Sequence, residues 1–196
     1  MKKSYIVIGV IIVIVIGIFM WFKGSYNQMV TRSENVSSQW SNVEYQYQRR
    51  LDLIPNLVNT VKGYAEHEQN TLTQVVEARA KATQMRVNFD QLDEQTIQKF
   101  NNMQGELSSA LSRLMAISEQ YPDLKANENF RDLQAQLEGT ENRIAVERRK
   151  FNEEVKGYNA YIRSFPKNII AGMFGFLPKP YFEAAAGAEK APEVKF

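Results

Sequence analysis

NFRDLQAQLEGTENRIAVERRKFNEEVKGYNAYIRSF, residues 129–165, carries Phe130, Leu137, Ile144, Phe151, Tyr158 and Phe165 at intervals of seven. Seven residues are close to two turns of α-helix, so these side chains share one narrow face. Leu133, Val155 and Ile162 fill neighbouring turns. Within this stretch ENRIAVERRKFNEE, residues 141–154, interleaves charges of both signs around Ile144, Val146 and Phe151, as the outer face of a packed helix does. A helix with such a stripe stays folded by burying it against other helices.

Those other helices are found by working outward. Phe100, Leu107, Leu114 and Tyr121 repeat the spacing beside Met103, Ala110 and Ile117, and Trp40, Tyr47, Ile54 and Val61 repeat it beside Val36 and Val43. Between Ser25 and Arg163 there are only four glycines (Gly63, Gly105, Gly139, Gly157) and two prolines (Pro55, Pro122), and no run alternates with the period of a strand. The breaks predict helices from about Tyr26 to Tyr64, Asn70 to Met85, Asp93 to Tyr121 and Asn127 to Ser164. Tyr121 ends the third because a residue before proline is pushed out of the helical region. Four helices with coiled-coil-like stripes and short links pack most simply as an antiparallel up-down-up-down bundle, an all-α domain of residues 25–165.

Before it lies YIVIGVIIVIVIGIFMWF, residues 5–22, without a charge. At about 1.5 Å per residue it spans roughly 27 Å, the thickness of a bilayer's hydrocarbon core. Tyr5 at one edge and Trp21 and Phe22 at the other are placed as an aromatic belt. The run is longer than the apolar part of a signal peptide, and no small-x-small cleavage site follows it. Residues 1–24 therefore read as a tail and an uncleaved single-pass transmembrane helix in contact with the lipid bilayer. Lys2, Lys3 and the α-amine precede the span while Lys23 and Arg32 follow it, a balance that slightly favours the N-terminus inside and the domain on the non-cytoplasmic, periplasmic side.

Of the 24 Lys and Arg, Lys2 and Lys3 precede the span, leaving 22 against 22 Asp and Glu. A domain without excess positive charge does not displace the counterions of nucleic acid, so no nucleic-acid partner is expected. With no cysteine in the chain, thiolate chemistry and disulfides are excluded.

QRRLDLIPNLV, residues 48–58, interrupts the apolar stripe of the first helix with Arg49, Arg50, Asp52 and Pro55. Pro55 has no N–H for the carbonyl of Leu51. The helix must then kink there, or restart with Asp52 as its cap and Pro55 in the first turn. Either makes these four residues a structural joint, with charges at the margin of the stripe and heads paired to neighbouring helices. A catalytic reading needs a nucleophile or a second titrating group nearby, and none is evident. A buried cluster of Arg49, Arg50, Asp52, Glu44 and Arg79 with shifted pKa values would revive it.

WSNVEYQYQRRLDLIPNLVNTVKGYAEHEQNTLTQVVEARAKA, residues 40–82, and YPDLKANENFRDLQAQLEGTENRIAVERRKFNEEVKGYNAYIRSFPKNIIAGMFGF, residues 121–176, resemble the LemA family closely. The resemblance implies a short N-terminal tail, one membrane span and an antiparallel four-helix bundle. It implies no catalytic residues and no cofactor. Members are membrane-anchored bacterial proteins, one branch belonging to magnetosome membranes and others often encoded beside TPM-domain membrane proteins.

Other chemistry is sparse. His67, between Glu66 and Glu68, has Asn70 and Thr71 where a helical metal site needs a second ligand, and so reads as a solvated helix end. SFPKNIIAGMFGFLPKPYFEAAAG, residues 164–187, is apolar and holds three of the six prolines. Ile169, Ile170, Met173, Phe174 and Phe176 form a candidate contact surface, either folded back as a lid or turned to a partner or lipid. Residues 166–196 thus make a third region, ending in EKAPEVKF, expected to be mobile.

The expected function is a membrane-anchored helical scaffold or adaptor of the bacterial envelope, not an enzyme. It should self-associate as a homo-oligomer, with another membrane protein as a further candidate partner. The alternative is a small-ligand-binding subunit, marked by a roomy cavity between the helices, or an accessory sensory subunit, either working with another membrane protein.

Overall fold

The computed structural model describes residues 2–85 and 87–183, without the side chains of residues 2–4 and 66. The tail EKAPEVKF lies outside these residues. Among the described residues the chain is all-helical, with six α-helices: α1 (Lys2–Lys62), α2 (Gln69–Gln84), α3 (Glu94–Ser118), α4 (Pro122–Ala126), α5 (Glu128–Arg163) and α6 (Lys167–Phe174). Two 3-10 turns, Glu66–Glu68 and Phe89–Gln91, lie in the links. Against the four helices expected, α4 is an added turn opened by Pro122 in the first position, where its missing N–H costs nothing. The apolar segment supplies α6. The first expected helix is joined to the span without a break.

Local chemistry sets the boundaries. Asp93 caps α3 by accepting from Thr96 N at 2.7 Å, and Asn127 caps α5 by accepting from Phe130 N at 2.9 Å. α6 stops at Gly175, whose φ of 73° is the left-handed conformation that glycine adopts without strain.

The stripes are buried as the spacing of seven requires. Phe130, Leu137, Ile144, Phe151 and Tyr158 are buried, as are Trp40, Tyr47, Ile54 and Val61. Phe165 departs from the stripe. It lies beyond the end of α5 and is 82% exposed.

Polar pairings between α1 and α5 run in opposite sequence order: Arg32 with Gly157, Gln39 with Glu147, Arg50 with Glu141, and Tyr64 with Asn127 just before α5. α1 packs most extensively on α5, α2 on α3, and α1 on α2, whereas α3 and α5 form no comparable pair. The core divides in two. An aromatic half gathers Trp40, Tyr47, Phe100, Phe151, Tyr158 and Phe182; an aliphatic half gathers Ile54, Leu57, Val75, Leu107, Leu114 and Leu137. On α1 the division falls between Tyr47 and Leu51, inside QRRL.

Candidate functional site

Arg50 sits on that division. It is 1% exposed, yet it faces polar atoms from two other helices. Its Nη1 donates to Glu141 Oε1 at 2.7 Å and to Ser108 Oγ at 2.8 Å, and its Nη2 donates to the side-chain and main-chain oxygens of Gln104. The guanidinium carbon lies 5.2 Å from the Tyr47 ring centroid. A buried arginine is tolerable only when its donors are matched in this way. One is not: Nε is buried without a partner.

Above Arg50, where α3 and α5 leave α1 uncovered, is a groove of about 1070 Å³. Gln98, Asn101 and Gly105 of α3 form one wall, Glu141 and Arg148 of α5 the other, and Tyr47 and Arg50 the floor. Asn101 also has a buried side-chain oxygen without a partner. Burial pushes the Tyr47 hydroxyl above its ordinary pKa, with the nearby Arg148 and Arg50 charges opposing. The lining offers amides, two guanidiniums and three carboxylates, Glu106, Glu141 and Glu183, suited to a polar ligand or an extended main chain.

The remaining residues of the opening joint do not converge here. Arg49 borders a separate hollow with Asp132 and Arg143. Asp52 is exposed and accepts from Gln48 Nε2 on its own helix at 2.7 Å, so its head is not paired to a neighbouring helix. Burial raises the Glu44 carboxyl, with Trp40 opposing. The five residues that would have revived catalysis are thus spread over separate contacts.

Pro55 is exposed, and α1 passes through it without the restart at Asp52. The reason is visible at Leu51. Its carbonyl, deprived of the donor that position 55 would supply, accepts Arg79 Nε from α2 at 2.9 Å. The joint is therefore a docking point: the proline frees an acceptor, and a neighbouring helix takes it.

Burial divides the C-terminal surface. Ile170 is buried and Phe176 half-buried, whereas Ile169 and Met173 are 55% and 68% exposed. Phe174 packs edge-on against Phe22 and Tyr26, with ring centroids 5.8 and 4.9 Å apart. Trp21 and Tyr5 are exposed along the apolar part of α1, whose 18-residue window has a mean hydropathy of 2.9.

Beyond Gly175 the chain climbs back along α5. Asn159 bonds both the N–H and the C=O of Lys179 at 2.9 and 2.8 Å, and Asn152 does the same for Phe182 at 2.8 Å each. These clamps seat Phe182 on Trp40 at 5.7 Å, closing the aromatic core. Sequence reasoning missed Gln104, Ser108, Glu141, Asn152, Asn159 and Phe182. The two asparagines did carry a signal, being poor helix formers seven residues apart beside the Phe151 and Tyr158 positions.

The chain is similar to known proteins over most of its length. It is 32% identical over 176 residues to magnetosome protein MamQ 2 of Paramagnetospirillum magneticum, covering 81% of this chain and 64% of that protein. It is 29% identical over 180 residues to magnetosome protein MamQ of Magnetospirillum gryphiswaldense, covering 83% of this chain and 66% of that protein. Protein LemA of Metamycoplasma hominis is 22% identical over 174 residues, 88% of this chain and 76% of that one. The chain thus spans about two thirds of the length of the MamQ relatives. None of these relatives carries an enzyme's name, and the magnetosome proteins together with the apolar start of α1 fit a membrane-associated protein. The LemA family model matches residues 39–196, and the chain belongs to the LemA family.

Proposed function

We propose that this protein is a single-pass scaffold or adaptor of the bacterial envelope. In this reading residues 1–24 anchor it, residues 25–165 form an antiparallel four-helix bundle on the periplasmic side, and residues 166–196 complete the membrane-proximal end. Binding rather than catalysis is its work. The carrying observation is the continuity of α1, one helix from Lys2 to Lys62 that enters the core as Met29, Val36 and Trp40 without a linker. A bundle held so stiffly has a fixed height and orientation relative to its anchor, and neighbours in one plane meet at high effective concentration. Self-association follows from that geometry.

The test is the mass of the full-length protein in mild detergent and in native-lipid nanodiscs. A defined multiple of the chain mass supports the homo-oligomer; a monodisperse single-chain mass in both removes it. The groove over Arg50 favours a second reading, a subunit that binds a polar ligand or an extended peptide for another membrane protein. Gly105→Trp, at a position with open space around it, would block the groove without touching the core. Loss of function with unchanged mass would favour this second reading.

A further inference from the structure

The outer face of α6 is the unexplained surface of the molecule. On α6 itself Ile169 and Met173, one turn apart, are 55% and 68% exposed, and Phe165 just before the helix and Leu177 just after it are 82% and 71% exposed. The opposite face holds Ile170 and Ala171 in the aromatic core. Phe174 fixes the height of this helix, because its ring meets Phe22, the last residue of the apolar span, at 5.8 Å. α6 therefore lies level with the end of the transmembrane segment. Charge agrees with that level. Residues 18–33 and 155–177 contain Lys23, Arg32, Lys156, Arg163 and Lys167 and no Asp or Glu. Lys167 lies over the Tyr161 ring at 4.0 Å, at the start of α6.

We propose that α6 is a membrane-lying helix, its Ile169 and Met173 side, with the flanking Phe165 and Leu177, inserted at the headgroup–acyl boundary of the bilayer that α1 crosses, beneath a collar of basic residues facing anionic headgroups. A short helix with one apolar face and flanking cations is stable there through buried apolar area together with attraction to anionic lipid. The occupant is lipid rather than a lid or a partner because the face continues the surface of the span at its own level. This reading rests on α1 spanning the bilayer. The domain then has a second attachment beside its anchor, which fixes its rotation as well as its height.

The absence of cysteine makes the test clean. Single variants Ile14→Cys, Ile169→Cys, Met173→Cys and Asp123→Cys of the full chain are labelled with an environment-sensitive fluorophore. They are then reconstituted in phosphatidylcholine–phosphatidylglycerol vesicles. Quenching by lipid carrying a nitroxide near the headgroup end of its acyl chain is compared with quenching by aqueous iodide. Labels at 169 and 173 should be quenched by the lipid nitroxide several-fold more than the label at 123, and protected from iodide. Quenching at 169 and 173 by iodide alone places the face in water and overturns the proposal. Protection from both quenchers places it against protein, which also overturns it. The label at 14 separates the two levels of failure. If lipid nitroxides at any depth leave it unquenched, the span itself is wrong; if it is quenched and 173 is not, only the proposal for α6 fails.

Discussion

The Pro55–Leu51–Arg79 arrangement predicts a specific non-additivity. Leu51 is 4% exposed, so its carbonyl has little access to water, and Arg79 Nε at 2.9 Å is the partner that replaces the lost helical donor. Arg79→Ala strips that partner. A hydrogen bond from a charged donor is worth about 1.5–3 kcal/mol, and a buried acceptor left open costs about 1–3 kcal/mol, so the variant should lose about 2 kcal/mol. Pro55→Ala restores an N–H at the correct position and removes a residue disfavoured inside helices, while returning some freedom to the unfolded chain. Its own effect should be small, within about 1 kcal/mol. In the double variant the Leu51 carbonyl is already satisfied by the restored main-chain N–H at position 55, so Arg79→Ala should cost only about 0.5 kcal/mol. The coupling is then about 1.5 kcal/mol, well above the scatter expected of independent sites. Urea titration of residues 25–196, followed by circular dichroism, measures all four corners of the cycle. Equal costs of Arg79→Ala in the two backgrounds would refute the idea that the proline and the arginine are one device.

Arg50→Ala should destabilise the same segment by about 2–4 kcal/mol, since Gln104 is left buried, while Glu141, 41% exposed on its side chain, keeps some water; urea midpoints check this. Phe182→Ala should cost about 3 kcal/mol and red-shift Trp40 emission, read in a Trp21→Phe background, by opening the aromatic core to water. Asn152→Leu with Asn159→Leu should leave the helices intact and make the strap of residues 177–183 an early site of limited proteolysis, because both main-chain clamps are gone. Lys150 and then Gln39 hold the Glu147 carboxyl below its ordinary value of 4.5. With the folded value below the unfolded one, this pairing stabilises above pH 4.5 and is lost as pH falls through the folded value, so Glu147→Gln should flatten the acid side of the stability profile.

Periodicity made the long helices legible. Spacing of seven placed Trp40, Phe151 and Tyr158 in the core, and the breaks at Asp93, Pro122 and Asn127 marked ends that the structure moves by at most three residues. What the local pattern does not carry is which polar residues meet. Arg50 finds Gln104 and Glu141 from 54 and 91 positions away; its spacing of seven from Val43 marks it rather than Arg49 as inward, but not which residues it meets. The same holds for Pro55. A helix breaker read alone predicts a kink or restart; the restart is absent, and only the position of Arg79 on α2 shows what takes the freed Leu51 carbonyl. The apolar C-terminal segment was visible as an anomaly. Its division into an inward Ile170 and an outward Ile169 depends on the height at which Phe174 meets Phe22.

The unbroken run of α1 makes the molecule a lever. Sixty-one residues of helix extend about 90 Å, of which about 60 Å lie beyond Phe22. Transmembrane helices change tilt to match bilayer thickness. Because α1 is continuous, each 10° or so of tilt sweeps the Tyr64 end sideways by about 10 Å. With α1 crossing the bilayer as proposed, lipid composition would steer the mouth of the groove over Arg50, and the thickness of the bilayer would become a coordinate read out far above its surface.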